Sequence, residues 1–374
     1  MEAGRLSRLT YRAVMETSPA LPELGFYGLA GHTNSPRDLL AECRDAERVG
    51  LGSVFLSERH DLKEAATVCG AAAAITDTLG IATSVTNHNT RHVMVTAAHG
   101  STMHKLSGGR YALGLGRGFD RRAAAWNMPK TTMAQMEDTV GLLRRLWKGE
   151  TIVDHAGPSG SYPMLRQSSN FDFEIPIMLA ALGENTMRWA GGVFDGVMLH
   201  TFFTDEALAR CVAAVREGAA AAGKDPSRVR VWAVLATMCD LPEDKKLPYL
   251  VGRMATYLQA YGDTLVTINR WDRRVLEAFR DHPGIKGRLT AVDSVNDPVE
   301  LARIAEAIPQ EWLAPSAIGS AEACARRIND QFAAGADGVI LHCSTPAELA
   351  PVLDAYRLVR DNGRFVDRSR NPGL

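Results

Sequence analysis

Short apolar runs alternate with longer amphipathic stretches along most of the chain, and this alternation limits the fold more than any other feature. The runs predict eight β-strands, each followed by at least one helix. They lie at residues 25–30, 54–56, 81–85, 111–115, 175–181, 196–200, 229–236 and 338–343. Repeated βα units with buried strands imply a parallel sheet. Eight such units predict a closed (β/α)8 TIM barrel of the α/β class, with an open doubly wound sheet as the alternative.

Two segments exceed what a minimal barrel needs. Residues 151–173 are polar and rich in Gly and Ser, which predicts a loop with a hairpin. Residues 241–315 carry helical patterns between the seventh and eighth strands. We expect a helical insertion that covers the barrel mouth, within a single domain spanning residues 1–374.

Composition excludes several classes of partner. Hydrophobic residues make up 46% of the 374 residues, and the 42 basic and 43 acidic residues give a net charge of −1. A chain without basic excess is not expected to bind nucleic acid, and its apolar stretches carry charges or Gly, which argues against a membrane. Six scattered cysteines without a CxxC motif favour a reducing, cytoplasmic location. We expect a homodimer that acts on a small molecule.

Polar residues cluster at the predicted carboxyl ends of the strands, where TIM barrels carry their active sites. The set comprises His32; Ser57, Glu58, Arg59 and His60; Ser84, Thr86, Asn87 and His88; Gly116, Arg117 and Gly118; Ala181, Gly183, Glu184 and Asn185; His200 and Thr201; and His342. His88 and His92 are four residues apart, but no carboxylate or thiol completes a ligand shell, so no metal is expected. The sequence also lacks GxSxG and Walker A motifs, which removes the usual support for hydrolases and NTP-dependent enzymes.

Two glycine-rich strand ends are candidate ligand sites. Residues 114–118 (GLGRG) follow a strand, but the acidic residue of a dinucleotide-binding unit is missing. They therefore predict either a strand end that a planar ring or phosphate can approach, or a tight turn. Residues 180–186 (AALGENT) open a helix, which favours an anion site, with an ordinary βα loop as the alternative.

Three stretches together resemble the luciferase-like monooxygenase superfamily, in the branch that uses coenzyme F420. Residues 106–118 (LSGGRYALGLGRG) are similar to the family's fourth-strand signature, and residues 142–149 (LLRRLWKG) to the helix that follows. Residues 176–181, 190–191 and 195–197 are similar to its fifth and sixth strands. The resemblance covers about residues 25–201 and 317–360.

The resemblance implies a (β/α)8 barrel that binds F420, or alternatively FMN, at the carboxyl ends of its strands. It also implies a cis peptide between Ser84 and Val85, behind the cofactor ring. The residues that it assigns to cofactor binding are Glu58, Ser84, Val85, Thr86, Asn87, Gly116, Arg117, Gly118, Ala181, Leu182, Gly183, Glu184 and His200. Among them, residues 181–184 form the phosphate loop.

The sequence departs from the family pattern at two positions. Relatives carry a functional His where this chain has Arg59, and His60 follows one residue later. Arg cannot act as a general base, although it can hold an anionic group. The family includes F420-dependent dehydrogenases of glucose 6-phosphate, which have a catalytic Glu shortly after the fourth-strand glycines. This chain has Phe119 and Asp120 there, which argues against glucose 6-phosphate as the substrate.

These observations predict an F420-dependent oxidoreductase that transfers a hydride between the deazaflavin and an unidentified small organic substrate. His60, Arg59 and His32 are the candidate catalytic residues, with His60 as the acid or base because imidazole titrates near neutral pH. The alternatives are an FMN-dependent monooxygenase of the same fold and a flavin-binding barrel without turnover.

Overall fold

The computed structural model describes residues 18–29, 35–60, 62–118, 124–128, 130–295 and 297–374. This part of the chain contains eleven β-strands. In chain order they are β1 Leu21–Tyr27, β2 Leu51–Leu56, β3 Gly80–Thr83, β4 Tyr111–Leu115, β5 Thr151–Gly157, β6 Gly160–Arg166, β7 Ile177–Ala180, β8 Gly196–Met198, β9 Arg230–Cys239, β10 Ala317–Gly319 and β11 Gly338–His342. All except the β5–β6 pair belong to one sheet.

Eight parallel strands close into a barrel. Strands β1, β2, β3, β4, β7 and β8 pair in that order, and β9 pairs with β8 on one side and β11 on the other. Strand β11 then pairs with β1, with Gly25 opposite Ile340. The (β/α)8 TIM barrel that the sequence predicts is therefore confirmed.

Helices follow the barrel strands. They are α1 Leu39–Val49, α2 Ala65–Ile75, α3 Val93–Ser107, α4 Met133–Trp147, α5 Glu184–Val193, α6 Asp205–Ala221, α7 Glu243–Leu247, α8 Arg253–Asn269, α9 Arg273–Asp281, α10 Pro298–Ala305, α11 Gln310–Leu313, α12 Ala321–Ala333 and α13 Pro346–Val359. Capping boxes begin two of them, with Thr132 paired to Gln135 and Thr345 paired to Glu348. Among the described helices, none has the length and apolar character needed to cross a membrane.

Helices α7 to α11 form the predicted insertion between the seventh and eighth barrel strands, β9 and β11. The predicted hairpin is also present, as the antiparallel pair β5 and β6. Strand β10 and helix α12 were not predicted. Strand β10 pairs with the carboxyl end of β9, at residues 237–239, and is not one of the eight barrel strands. The first strand begins and ends earlier than the predicted 25–30. Leu21, Glu23 and Leu24 are also buried, and Leu21 and Leu24 pair with the neighbouring strands.

The barrel interior is filled by large side chains, and small residues make room for them. Phe55, Met178, Met198 and Trp232 are fully buried there. Gly25 faces this layer, since a Cβ at its position would lie 2.5 Å from the Phe55 ring. The interior is therefore a packed core rather than a channel.

The C-terminal segment closes the amino-terminal end of the barrel. The indole Nε1 of Trp232 donates to the carbonyl oxygen of Pro372 at 2.8 Å. The Asn371 amide donates to the carbonyl oxygens of Gly109 and Tyr111 at 2.8 and 3.0 Å. Ligands must therefore enter from the opposite end, where the strands finish.

Candidate active site

Three residues cap the packed interior at the carboxyl ends of the strands. Tyr27, Val85 and Ala180 pack on the core layer and keep part of their surface accessible. The Tyr27 hydroxyl lies 2.6 Å from Ser84 Oγ, and its ring meets the edge of His342 at a centroid distance of 4.9 Å. These side chains form the floor of the barrel mouth.

The ends of β3 and β4 meet in close backbone contact. The peptide bond between Ser84 and Val85 is cis, as the family resemblance implies. A Cβ at Gly116 would lie 2.3 Å from Val85 Cγ2, so this position requires Gly. The Asn87 amide donates to the Gly116 carbonyl oxygen at 2.8 Å. Four of the predicted cofactor residues are thus brought together.

Glu58 lies beneath this surface rather than on it, with only 3% of its side chain exposed. Its carboxylate accepts hydrogen bonds from the Ala65 N–H at 3.0 Å and the Thr86 hydroxyl at 2.9 Å. It also pairs with Arg91, whose guanidinium reaches Glu64 as well. Glu58 and Thr86 therefore bind each other and the start of α2.

The predicted catalytic residues after β2 point toward the rim. The His60 ring packs edge-on against Trp126 at 4.9 Å, and 32% of the His60 side chain is exposed. Its Nδ1 lies 3.9 Å from Glu58 Oε1. Arg59 Nη1 lies 3.6 Å from the Asp293 carboxylate. The third candidate, His32, lies outside the described residues.

The insertion places a buried ion pair at the mouth. Arg253 Nη1 lies 2.7 Å from Asp293 Oδ2, and the exposed fractions of these side chains are 14% and 4%. The backbone N–H of Asp293 donates to the Thr256 hydroxyl at 2.8 Å. Because Asp293 also faces Arg59, one carboxylate connects the insertion to the end of β2.

Two tyrosines of α8 surround the predicted cofactor residue His200. The Tyr257 ring meets the His200 ring edge-on at 4.4 Å, and the Tyr261 hydroxyl lies 3.2 Å from His200 Nε2. Burial, assisted by the positive charge of Arg253, lowers the pKa of His200 to about 4. The imidazole is therefore neutral at physiological pH.

The predicted phosphate loop leads into α5. Ala181 is buried, whereas Leu182, Gly183 and Glu184 are half-buried. No side chain caps the helix at Gly183, and a Cβ there would meet no atom within 4 Å. The Glu184 carboxylate is held by Arg210 Nε at 3.2 Å. Backbone N–H groups beside open space at a helix start suit a phosphate.

The remaining predicted cofactor residues, Arg117 and Gly118, are exposed at the rim beyond β4.

Within the described residues, no group of three or more His, Cys, Asp or Glu side chains could hold a metal.

Sequence reasoning missed four residues at the mouth, all from the insertion: Arg253, Tyr257, Tyr261 and Asp293. Arg253, Tyr257 and Tyr261 are spaced four residues apart, which places them on one face of a helix. This spacing can be read from the sequence, but it does not show which part of the protein this face of the helix packs against.

Comparison with known proteins identifies the family of this chain. The luciferase-like monooxygenase family model matches residues 19–338. An F420-dependent glucose-6-phosphate dehydrogenase from Beutenbergia cavernae is 29% identical over 306 residues, which cover 76% of this chain and 80% of the relative. A 5,10-methylenetetrahydromethanopterin reductase from Methanolobus tindarius is 28% identical over 194 residues, covering 50% and 57%.

Solved structures share the fold. The coenzyme F420 dependent tetrahydromethanopterin reductase from Methanopyrus kandleri superimposes with a TM-score of 0.75 at 18% identity, covering 91% of this chain and 99% of that one. An F420-dependent secondary alcohol dehydrogenase in complex with an F420–acetone adduct superimposes with a TM-score of 0.66 at 20% identity, covering 91% of this chain and 99% of that one. These likenesses show the fold alone. On the family match, which spans most of its length, the chain belongs to the luciferase-like monooxygenase family.

Proposed function

We propose that this chain is an F420-dependent oxidoreductase that transfers a hydride between the deazaflavin and a small organic substrate at the barrel mouth. The observation that carries the proposal is the uncapped start of α5 at Gly183, beside the strand ends where the fold binds ligands. The relative from Beutenbergia cavernae is named as F420-dependent, and its match extends over 80% of its length.

Residues of this chain fit the cofactor in two places. The backbone N–H groups of residues 182–184 would bind the phosphate, since the helix dipole favours negative charge there, whereas the Ala181 N–H donates to the Met198 carbonyl oxygen at 3.1 Å. The surface formed by Ser84, Val85 and Gly116 would hold the ring, with Asn87 fixing the Gly116 carbonyl. When bound, F420 accepts or donates the hydride, and the protein orients it and excludes water.

Cofactor affinity measured side by side for F420 and FMN tests the proposal. We expect F420 to quench protein fluorescence at lower concentration than FMN. Tighter binding of FMN would favour the FMN-dependent monooxygenase alternative. A protein that binds F420 but neither reduces it nor oxidises its reduced form with any substrate offered would be a non-catalytic flavin-binding barrel.

We also propose that the chain forms a homodimer and that residues 1–374 fold as one domain. Sedimentation equilibrium distinguishes a dimer from a monomer, and a single cooperative unfolding transition is expected for one domain. A cytoplasmic location stays a prediction from the cysteine content.

A further inference from the structure

A cavity lies between the starts of α3 and α4 and the β5–β6 hairpin. Its volume is about 210 Å³, which is smaller than the pockets that hold drug-sized ligands. Residues from both helix starts and from the hairpin line it, and none of these described lining residues is acidic. The proposed function makes no use of this cavity.

Two polar atoms in the lining are buried without a partner. Thr131 is only 6% exposed, and its hydroxyl has no hydrogen-bond partner in the part of the chain that the structure describes. His88 Nε2 is also buried and unpartnered there. An unpartnered buried polar group is costly because its hydrogen bonds to water are lost. Both residues line the cavity, which indicates a polar occupant.

His92, the residue that caps α3, offers the cavity a donor. The backbone N–H of Met94 donates to His92 Nδ1 at 3.2 Å. Because an N–H can only donate, Nδ1 carries no proton, and the neutral imidazole has its single N–H at Nε2. The nitrogen that is not used by the helix cap is therefore a hydrogen-bond donor.

Gln135, in the first turn of α4, offers a second donor. Its Oε1 accepts the Thr132 backbone N–H at 2.9 Å within the capping box. This bond identifies which end of the amide is the oxygen, so the NH₂ group is left for another partner. Gln135 is half-buried and lines the cavity.

The charge on the lining is positive. Lys130 and Arg91 both line the cavity. Arg91 shares its charge with Glu58 and Glu64, whereas Lys130 adds a further positive charge at the start of α4. The cavity therefore combines hydrogen-bond donors with a cationic wall, which suits an anion.

Other polar groups around the cavity are engaged within the protein. The Thr139 hydroxyl donates to the Gln135 carbonyl oxygen at 2.8 Å, and the Tyr162 hydroxyl donates to the Ser159 carbonyl oxygen at 2.9 Å. Asp138 does not line the cavity, and its carboxylate accepts the Ser159 N–H at 2.9 Å. The hydrogen-bond donors left for a ligand are therefore those of the three residues described above.

We infer that this cavity binds a small oxyanion, through a phosphate or carboxylate group held by Thr131, His92 and Gln135 beside the charge of Lys130. Both groups present acceptor oxygens, which match three donors. Hydrogen bonds to an ionised acceptor are about twice as strong as those between neutral groups. A bound oxyanion would join the starts of α3 and α4, and its binding does not depend on the proposed F420 site.

Titration with inorganic phosphate, followed by nitrogen NMR of histidine-labelled protein, tests the site directly. The His92 signals are assigned from their loss in His92→Gln. At neutral pH we expect the Nε2–H tautomer without phosphate, and a saturable shift of this N–H at millimolar phosphate or below. Succinate, titrated in the same way, shows which of the two groups binds more tightly. An Nδ1–H tautomer, or no saturable shift with either anion, overturns the inference.

Two variants remove donors without disturbing the fold. Gln135→Glu keeps the acceptor of the capping box and replaces the NH₂ group by a negative oxygen, so calorimetry should show the phosphate Kd rising about tenfold or more. Gln310→Glu, the same change at the exposed start of α11, is the matched control and should keep the wild-type Kd. Thr131→Val removes a hydroxyl that has no partner to lose, so it should weaken binding and leave stability intact. Wild-type affinity in both folded variants overturns the inference.

A further titration separates this site from the proposed phosphate loop. Phosphate also suits the start of α5, so the NMR titration is repeated in Gly183→Asp. The His92 response should be unchanged, because the two sites share no residue. Loss of the His92 response in Gly183→Asp overturns the inference. Failure of the wild type to bind F420 overturns the proposed function alone.

Discussion

Asp293 Oδ2 lies 2.7 Å from Arg253 Nη1, and both side chains are buried where the insertion meets the barrel mouth. The pair joins two parts of the same insertion, since 40 residues separate its members. Asp293 also approaches Arg59 at 3.6 Å, so the same carboxylate reaches the end of β2. The position of α8, and with it of the mouth tyrosines, therefore depends on one buried acid.

Replacing this acid should destabilise the protein strongly. Asp293→Ala leaves the Arg253 cation buried without its carboxylate, and loss of one partner of a buried pair costs about 3–5 kcal/mol. Urea unfolding measures the change. The double variant Asp293→Leu, Arg253→Met should recover most of the loss, because no uncompensated charge remains. A cost below about 1 kcal/mol, as in exposed pairs, would contradict the burial argument.

Gly183→Asp should weaken F420 binding through its charge. The site has space for the side chain, since a Cβ meets no atom within 4 Å, so the fold should survive. The carboxylate would compete with the phosphate for the N–H groups at the start of α5. Fluorescence titration measures affinity for F420 and for the deazaflavin riboside, which has no phosphate.

The riboside should bind Gly183→Asp as it binds the wild type, and Gly183→Ala should leave both affinities intact. Equal weakening for both ligands would mean that the phosphate lies elsewhere. This control separates an electrostatic effect from a distorted mouth.

His60→Ala tests whether the sequence-based acid or base transfers the substrate proton. The sequence-based assignment of His60 predicts that its loss lowers kcat by about 10²–10⁴. The structure packs the His60 ring against Trp126 at the exposed rim, so we expect a fall in kcat well below this range. Steady-state kinetics of F420 reduction measure the change. A loss within the range would favour the sequence-based assignment.

Arg59→Ala tests whether the second predicted catalytic residue holds a ligand. Its guanidinium faces Asp293 at 3.6 Å, so the charge near the mouth changes with little change in the core. A residue that holds an anionic ring or substrate group should alter Kd or KM and leave kcat nearly intact. A fall in kcat alone would contradict this role.

Glu42 should make stability depend on pH in the neutral range. Its Oε2 accepts the Leu29 N–H at 2.8 Å, and burial raises the pKa of Glu42 from 4.5 to about 7. Because the folded pKa is the higher one, its stabilising effect is complete below about pH 4.5 and is lost as the pH rises through 7. The total change is about 3 kcal/mol.

Urea unfolding at pH 5 and pH 8 measures this effect. Glu42→Gln keeps the hydrogen-bond acceptor but cannot ionise, so it should lose less stability than the wild type between the two pH values. Burial lowers the pKa of the nearby Lys63 from 10.5 to about 8, so its ionisation changes the stability mainly above pH 8. Glu243→Gln, an exposed control, should follow the wild type. Parallel behaviour of Glu42→Gln and the wild type would contradict the shift.

Local patterns were sufficient for most of the barrel. Strand β4 at Tyr111–Leu115 and helix α6 at Asp205–Ala221 lie within the predicted boundaries because apolar runs and helical periodicity identify them directly. Strand-end residues such as Ser84 and Gly116 could be placed at the mouth for the same reason: they follow their strands immediately. Strand β10 was missed because only Ala317 of its three residues is buried, so no apolar run marks it.

Contacts made by the insertion could not be predicted in this way. His200 and Tyr261 are 61 residues apart, and their meeting depends on how α8 packs and where it is interrupted. The same holds for Arg59 and Asp293, which come from opposite parts of the chain. Residue types indicated which groups could do chemistry, whereas long-range packing decides which of them meet.

The closure of the barrel by Asn371 and Pro372 has a consequence for synthesis on the ribosome. The Pro372 carbonyl oxygen accepts a hydrogen bond from the Trp232 indole, and the Asn371 amide donates one to the Tyr111 carbonyl oxygen. Trp232 and Tyr111 are therefore synthesised long before the two residues that bind them. Until residues 371 and 372 are in place, the amino-terminal end of the barrel lacks the partners of the Trp232 indole N–H and of the Tyr111 carbonyl oxygen. A nascent chain can therefore assemble every barrel strand and still lack its seal until residues 371 and 372 leave the exit tunnel.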